Sequence, residues 1–255
     1  SHNGEPAHVE CVSRWLEAIG CTVADLECGC HPPMHAESAA ALIAAGIPFS
    51  PLHNNCSGKH AGFLSVARHQ GIPLPGYINE QHPVQQQVCE AVEAMSRAAL
   101  AHMPRGIDGC GIPVFGAPLR GIAYAMARLA APDALGADRA AACRRIVKAC
   151  ANNPLMLSGS GAFNSVVLAE TGETCLLKGG AEGYYTAALP EKGLGVAIKI
   201  DDGAGRAAEA AVLAVLIRLG VIDDAQKTRI EAACSPEVRN WAGRLVGFIR
   251  STPAF

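Results

Sequence analysis

Three short runs near the middle of the second half of the chain constrain its fold most strongly. The runs cover residues 174–178, 183–188 and 195–200, and each is rich in residues that favour strands. Glycine- and proline-containing turns join them, and turns this short connect strands that lie side by side in opposite directions. The sequence therefore predicts an antiparallel meander of three strands.

Helices are predicted on both sides of these strands. Pro6 lies in the first turn of the first helix, which closes near Gly20. Two of the next helices have a glycine just beyond their last turn, where it can adopt the left-handed conformation that ends a helix. The further predicted helices are 36–45, 56–70, 83–100, 138–151, 161–168, 204–219 and 224–233.

The remaining segments complete the predicted layers. A last strand is expected at 245–250, and the stretch 106–118 is too rich in glycine and proline for a regular element, although Ile107 could end a short strand. Helices packed against an antiparallel sheet indicate an α+β fold with a three-layer mixed α/β plan. No linker or repeat is visible, so we expect one domain over 1–255.

The charge and hydropathy of the chain exclude several classes of partner. The net charge is -2, and no run of lysine and arginine offers a surface for nucleic acid or an anionic membrane. The longest apolar stretch, 207–219, is too short to span a bilayer and contains Glu209 and Arg218. We expect a small neutral or zwitterionic partner, no nucleic acid and no membrane.

The chain has 11 cysteines but no visible secretory signal at its start. This combination predicts reduced thiols and a cytoplasmic location. Most of the cysteines lie in alanine-rich helical stretches, where cysteine acts as a small apolar residue.

A thiol, an amine and an imidazole are placed together at the start of one predicted helix, at Cys56, Lys59 and His60. Residues three apart share a helix face, so the first two side chains project to the same side. Together with Cys110, which follows Asp108 on the glycine-rich loop, they could close on one zinc ion with an open position for water. The alternative is two buried thiols and a solvated lysine, since lysine must lose a proton before it can bind zinc.

A second candidate amine is Lys178, one of six lysines in the chain. It ends a predicted strand before two glycines, which would let a substrate approach the strand edge. This pattern resembles the Lys-Thr-Gly strand of serine β-lactamases and penicillin-binding proteins, although a surface lysine before a turn would look the same. Ser1 precedes a helix start, where a serine can be either a cap or a nucleophile.

Two other patterns are weaker. Cys28, Cys30, His31 and His35 are metal-ligand types in close order, but two intervening prolines favour a turn. The Ser-Gly-Lys at 57–59 lacks the residues that a phosphate loop needs on either side, which excludes nucleotide binding by that motif.

Taken together, the motifs resemble the asparaginase II family, the rhizobial-type L-asparaginases. The resemblance runs from residue 1 to Asn240-Trp241, and the Asn-Asn-Cys-Ser-Gly-Lys-His run at 54–60 is its most specific part. The other matching motifs are Ser-His-Asn-Gly-Glu-Pro at 1–6, Cys-Gly with His at 28–31, Asp-Gly-Cys-Gly at 108–111, Lys-Gly-Gly-Ala-Glu-Gly at 178–183 and Lys-Ile-Asp-Asp-Gly at 199–203.

The resemblance implies hydrolysis of L-asparagine to L-aspartate and ammonia by a homodimer, on a fold similar to serine β-lactamases and glutaminases. It also implies two Ser-Lys pairs and an adjacent zinc ion bound by two cysteines, a lysine and water. By motif, Ser1 and Lys178 correspond to one catalytic pair. The corresponding zinc ligands are Cys56, Lys59 and Cys110, and the resemblance places His60 and Asp108 close to the site as substrate-binding residues.

The chain departs from the family pattern in one respect. The other catalytic pair of the family is a Ser-x-x-Lys motif upstream of Ser1, and none occurs in these 255 residues. We therefore expect that an N-terminal segment is missing, and that the nucleophile could be an upstream serine.

Two alternatives to a Ser-Lys amidohydrolase remain open. One is an N-terminal nucleophile, with Ser1 using its own α-amine as base. The other is a non-catalytic protein that binds zinc or an amino acid. The choice between asparagine and glutamine is open as well, because one methylene changes binding by only ~1 to 3 kcal/mol.

Overall fold

The computed structural model describes residues 2–234 and 237–252. The chain divides into two compact units, Ser1–Ala117 and Pro118–Phe255, which we call unit 1 and unit 2. Each unit is described by itself.

Unit 1 is mainly helical and contains one small hairpin. The hairpin is antiparallel, with Gly106 opposite Val114. The helices are α1 (Pro6–Ala18), α2 (Ala36–Ala44), α3 (Ser57–Gln70) and α4 (Pro83–Ser96), and the strands are β1 (Arg105–Ile107) and β2 (Pro113–Phe115).

The core of unit 1 lies where α1 packs against α3. Val12 and Leu16 on α1 are buried together with Ala61 and Leu64 on α3. Pro6 begins α1 as predicted, where its missing N–H leaves no donor unpaired. The same core contains the thiols of four cysteines, Cys21, Cys28, Cys56 and Cys110.

Unit 2 combines six helices with two small antiparallel sheets among its described residues. The helices are α5 (Leu119–Ala130), α6 (Ala137–Asn152), α7 (Pro154–Ser158), α8 (Phe163–Thr171), α9 (Gly205–Arg218) and α10 (Asp224–Cys234). The strands are β3 (Leu176–Gly180), β4 (Tyr184–Leu189), β5 (Leu194–Lys199), β6 (Glu237–Arg239) and β7 (Leu245–Phe248).

The strands β3, β4 and β5 form the predicted antiparallel meander in that order. Helix α5 packs closely on β5, and Gly195 makes this possible. A Cβ atom at Gly195 would lie 2.0 Å from the backbone oxygen of Ala123, so no larger residue fits beneath the helix. The mixture of helices with small antiparallel sheets confirms the α+β prediction.

Three details of the sequence prediction are corrected by the structure. The helix expected at 83–100 ends at Ser96, because Arg97 adopts the left-handed conformation with φ 56°. Within the stretch predicted to be irregular, the strand β2 pairs with β1, which ends at Ile107 as expected. Helices α5 and α7 were not predicted.

No helix in the described part of the chain is long and apolar enough to cross a membrane.

Candidate active site with a metal-ligand cluster

Two sequence-distant segments of unit 1 bring the predicted metal residues together. Cys56 immediately precedes the first residue of α3, and Lys59 lies in the first turn of that helix. Cys110 lies in the tight connection between β1 and β2, where the N–H of Asp108 donates to the oxygen of Ile112 at 2.8 Å. Gly111 closes this turn with φ 90°, a conformation that favours glycine.

The potential ligand atoms of Cys56, Asp108 and Cys110 all lie within 4.8 Å of one another. The Sγ of Cys110 donates to Oδ2 of Asp108 at 3.2 Å, and it is also hydrogen-bonded to the Cys56 side chain. Lys59 Nζ donates to the same carboxylate oxygen at 3.3 Å. We call Cys56, Lys59, Asp108 and Cys110 the thiol–lysine cluster.

The charges of the cluster stabilise one another. Burial disfavours the ammonium of Lys59, but the neighbouring side chains of Cys56, Cys110 and Asp108 outweigh burial and raise the pKa of Lys59. Burial likewise opposes ionisation of Asp108, yet hydrogen bonds from Cys110 and Lys59 lower its pKa overall. The hydrogen bond to Cys56, with burial, raises the pKa of Cys110.

The donor types in the cluster fit a zinc site. Thiolate sulfur, nitrogen and carboxylate oxygen are the donors that zinc accepts, and two protein thiols with one further ligand leave room for water. Both thiols are buried, whereas the Lys59 and Asp108 side chains are 36% and 38% exposed. The sequence motifs predict Lys59 as the ligand beside the two cysteines, and the structure adds Asp108 as a second candidate.

Hydrogen bonds with the segment of Cys28 and His31 hold the segment that carries Cys56. The Nδ2 of Asn54 donates to the oxygen of Cys28 at 2.8 Å, while its Oδ1 accepts from the N–H of Cys56 at 2.8 Å. The N–H of Asn55 donates to Nε2 of His31 at 3.1 Å. The Cys-Gly-Cys-His segment is therefore an irregular stretch that supports the cluster, and no helix brings His31 and His35 onto one face.

His60 lies on α3 next to Lys59 and is fully buried. Its Nδ1 is 2.7 Å from the hydroxyl of Tyr77, which is fully buried as well. Burial, with the charge of Lys59, lowers the pKa of His60 to about 4, so the imidazole is neutral at neutral pH. Tyr77 was not predicted as a site residue, because no local pattern marks a tyrosine whose partner lies 17 residues away.

Ser1, the predicted nucleophile, lies outside the described residues. His2, the next residue, is buried and donates through Nε2 to Oγ of Ser57 at 2.8 Å, because its Nδ1 accepts from the N–H of Gly4. The N–H of His2 also donates to the oxygen of Asn55 at 3.2 Å. The chain directly after Ser1 is therefore attached to the segment that carries Cys56.

Lys178 belongs to unit 2, where it lies near the end of β3 opposite Thr186. Its Nζ donates to the backbone oxygen of Gly179 at 2.5 Å. The ring of Tyr185 covers Gly179, since a Cβ atom there would lie 2.9 Å from Cζ of the tyrosine. A glycine is thus required after Lys178 to make room for an aromatic ring of the neighbouring strand.

Comparison with known families gives one match over nearly the whole chain. The model of a family described as L-asparaginase II matches residues 1–251. A search of curated proteins finds no match.

Proposed function

Because this chain belongs to the L-asparaginase II family and is thus an amide hydrolase acting on L-asparagine, we propose that it works through a serine–lysine pair beside a zinc site. The products are L-aspartate and ammonia. The catalytic pair is Ser1 and Lys178, and the zinc ligands are Cys56, Lys59 and Cys110.

The observation that best supports this proposal is that the fold brings the side chains of the thiol–lysine cluster together from distant parts of the sequence. Cys56 and Cys110 are separated by more than fifty residues in sequence, yet their sulfurs and the Asp108 carboxylate lie within 4.8 Å of one another. Buried thiols in contact with a charged pair are not an arrangement that packing alone requires, because burying polar groups costs free energy.

When bound, zinc would polarise a substrate group or water as a Lewis acid. The residues that would hold it are Cys56, Cys110 and Lys59. The carboxylate of Asp108 already accepts a hydrogen bond from Lys59 and one from Cys110, so it keeps both side chains in place. Asp108 and His60 are then available to contact the bound amino acid.

The covalent step uses the chain's own groups. In the proposed step the amine of Lys178 acts as the base and takes the proton of the Ser1 hydroxyl, and the serine oxygen attacks the side-chain carbonyl carbon of asparagine. The C–N bond breaks and the nitrogen leaves as ammonia after receiving a proton from the lysine. Water then hydrolyses the ester to give aspartate and regenerate the serine. A serine needs such an adjacent base because its hydroxyl is a weak nucleophile.

The family resemblance also supports a homodimer. All 11 cysteines lie among the described residues and none forms a disulfide bond, which fits a reducing cytoplasmic compartment.

The experiment that tests the proposed function measures ammonia release from L-asparagine by the wild type and by Ser1→Ala. We expect turnover by the wild type and a loss of about 1,000-fold or more in kcat for the variant. Ser13→Ala is the matched control, since the Ser13 hydroxyl only donates to the oxygen of Val9 within α1. Retained activity in Ser1→Ala would exclude Ser1 as the nucleophile, and asparagine binding without turnover would favour the non-catalytic alternative.

A further inference from the structure

Tyr77 is held rigidly in unit 1 by contacts that do not involve the cluster. Its backbone oxygen accepts from Nε2 of Gln85 at 2.9 Å, and its hydroxyl accepts from the N–H of Glu27 at 2.8 Å. The carboxylate of Glu27 in turn accepts from the N–H of Gly76, the residue before Tyr77, at 2.7 Å. The phenol is therefore fixed before any ligand binds.

The hydrogen bonds of this phenol determine where its proton lies. A tyrosine hydroxyl has one proton to donate, and a fully buried hydroxyl is expected to donate it. The backbone N–H of Glu27 can only donate, so it cannot receive that proton. Among the described residues the acceptor within reach is Nδ1 of His60, at 2.7 Å.

The tautomer of His60 follows from this accounting. If Nδ1 accepts the phenol proton, the neutral imidazole carries its own proton on Nε2. Nε2 is buried and has no hydrogen-bond partner among the described residues. His60 follows Lys59 in the first turn of α3, so this imidazole belongs to the surroundings of the thiol–lysine cluster.

We propose that Tyr77 is a positioning residue that fixes His60 as the Nε2–H tautomer, so that this N–H donates to an oxygen acceptor during asparagine hydrolysis. The inference rests on the proposed function for its role but not for the tautomer itself. The acceptor is an oxygen of the substrate or of a water bound with it. A protonated Nε2 has no lone pair for a metal, so His60 is not a zinc ligand.

The tautomer is tested directly by long-range proton–nitrogen NMR on the full chain labelled with nitrogen-15 histidine. The His60 signals are identified as those lost in His60→Gln. We expect a protonated Nε2 and an unprotonated Nδ1. A protonated Nδ1, an imidazolium, or an Nε2 bound to metal would overturn the inference. A shift of the Nε2–H signal on adding L-aspartate would identify a substrate oxygen as the acceptor, and an unchanged signal a water.

The positioning role is tested by a double-mutant cycle with Tyr77→Phe and His60→Gln. Tyr77→Phe removes only the hydroxyl, and we expect kcat to fall about tenfold with bound zinc unchanged. A glutamine places an amide donor near the position of Nε2 and has no tautomer to fix. In the His60→Gln background, Tyr77→Phe should therefore cost less than about twofold.

An equal loss in both backgrounds would show that Tyr77 is merely structural and would contradict the proposal. Tyr124→Phe, at an exposed position on α5, is the control for removal of a phenol hydroxyl. If Tyr77→Phe does not fold, the NMR result on the wild type still decides the tautomer. If the wild type does not hydrolyse asparagine, the proposed function fails while the tautomer assignment is still tested.

Discussion

The two units have cores of different chemistry. The main core cluster of unit 2 consists mostly of aliphatic side chains, such as Val167, Leu177, Val212 and Leu216. The core of unit 1 includes four cysteines and Tyr77 beside its aliphatic residues. Buried polar side chains follow the same division: unit 2 has Asn164, Thr171 and Thr186, and unit 1 has His2, His8, His53, Asn54, Ser57, His60, Gln85 and Ser96.

The apolar core of unit 2 mainly stabilises the fold, whereas the polar core of unit 1 holds the side chains of the candidate site in place. A buried polar group costs free energy unless it is hydrogen-bonded, and hydrogen-bonded networks restrict a core to one arrangement. In unit 1 the polar groups connect the segment after Ser1, the segment of Cys56 and the tyrosine beside His60. Under the proposed function, unit 2 would contribute Lys178 from a sheet with an apolar core. The following predictions test this division.

The largest expected effect is on Lys178, where unit 2 would contribute to the chemistry. Lys178→Met removes the proposed base, and we expect kcat for asparagine to fall about 1,000-fold or more. The measurement is steady-state ammonia release, with Lys192→Met in the turn before β5 as the matched control. Unchanged activity in Lys178→Met would confine the chemistry to unit 1 and end the proposed Ser1–Lys178 pairing.

The next effect separates two possible ligands within the cluster. If the amine is a ligand, Lys59→Met should weaken zinc binding about 100-fold. Asp108→Asn should weaken zinc binding only about tenfold, because it weakens the hydrogen bonds that hold Lys59 and Cys110 in place. Competition with a chromogenic chelator measures both affinities. The reverse order would make Asp108 the ligand and Lys59 its charge partner.

A stability effect of intermediate size is expected in unit 2. Gly195→Ala places a Cβ atom against the backbone of α5, 2.0 Å from the oxygen of Ala123, and should lower the free energy of unfolding by about 2 to 3 kcal/mol. Chemical denaturation measures this change. Gly205→Ala is the control, because a Cβ there meets nothing within 4 Å. If Gly195→Ala also abolished zinc binding, stability and chemistry would not divide between the units as described.

The smallest effect concerns pH and Glu209 on α9. Burial raises its pKa, and a hydrogen bond from Tyr185 only partly opposes this. A carboxyl with a raised folded-state pKa favours folding in its protonated form, so stability falls as pH rises through that pKa.

Glu209→Gln should therefore be more stable than the wild type at pH 7, by less than about 1 kcal/mol, and the difference should vanish below the unfolded pKa of about 4.3. Thermal melting across this pH range measures the effect. A difference that grows on acidification would contradict the sign of the pKa shift.

The elements predicted from sequence are those with local signals. The meander was predicted because its turns contain glycine and proline, and Cys56 and Lys59 were grouped because one helical turn joins them. Helix α5 was missed because it follows a glycine- and proline-rich stretch and contains Gly121. The β1–β2 hairpin was predicted only in part: Ile107 was expected to end a short strand, as β1 does, but β2 was missed because glycine and proline obscured a strand of three residues.

The contacts that complete the site lie beyond local sequence. His2 and Ser57 are 55 residues apart, and nothing in either motif specifies the other as its partner. The family resemblance predicted the Asp108 carboxylate near the site. Its hydrogen bonds with Lys59 and Cys110 could be recognised only in the structure. Tyr77 has no motif at all, and only the hydrogen-bond accounting gives it a role.

The most direct test of the central claim, that the thiol–lysine cluster is the zinc site of this amidohydrolase, is the metal content of the purified protein. Elemental analysis should find close to a full equivalent of zinc in the wild type and little in Cys110→Ser. Cys143→Ser is the matched control, because Cys110 and Cys143 are both 4% exposed and Cys143 lies on α6 of unit 2, outside the thiol–lysine cluster. Full zinc content in Cys110→Ser, or equal loss in both variants, would contradict the account.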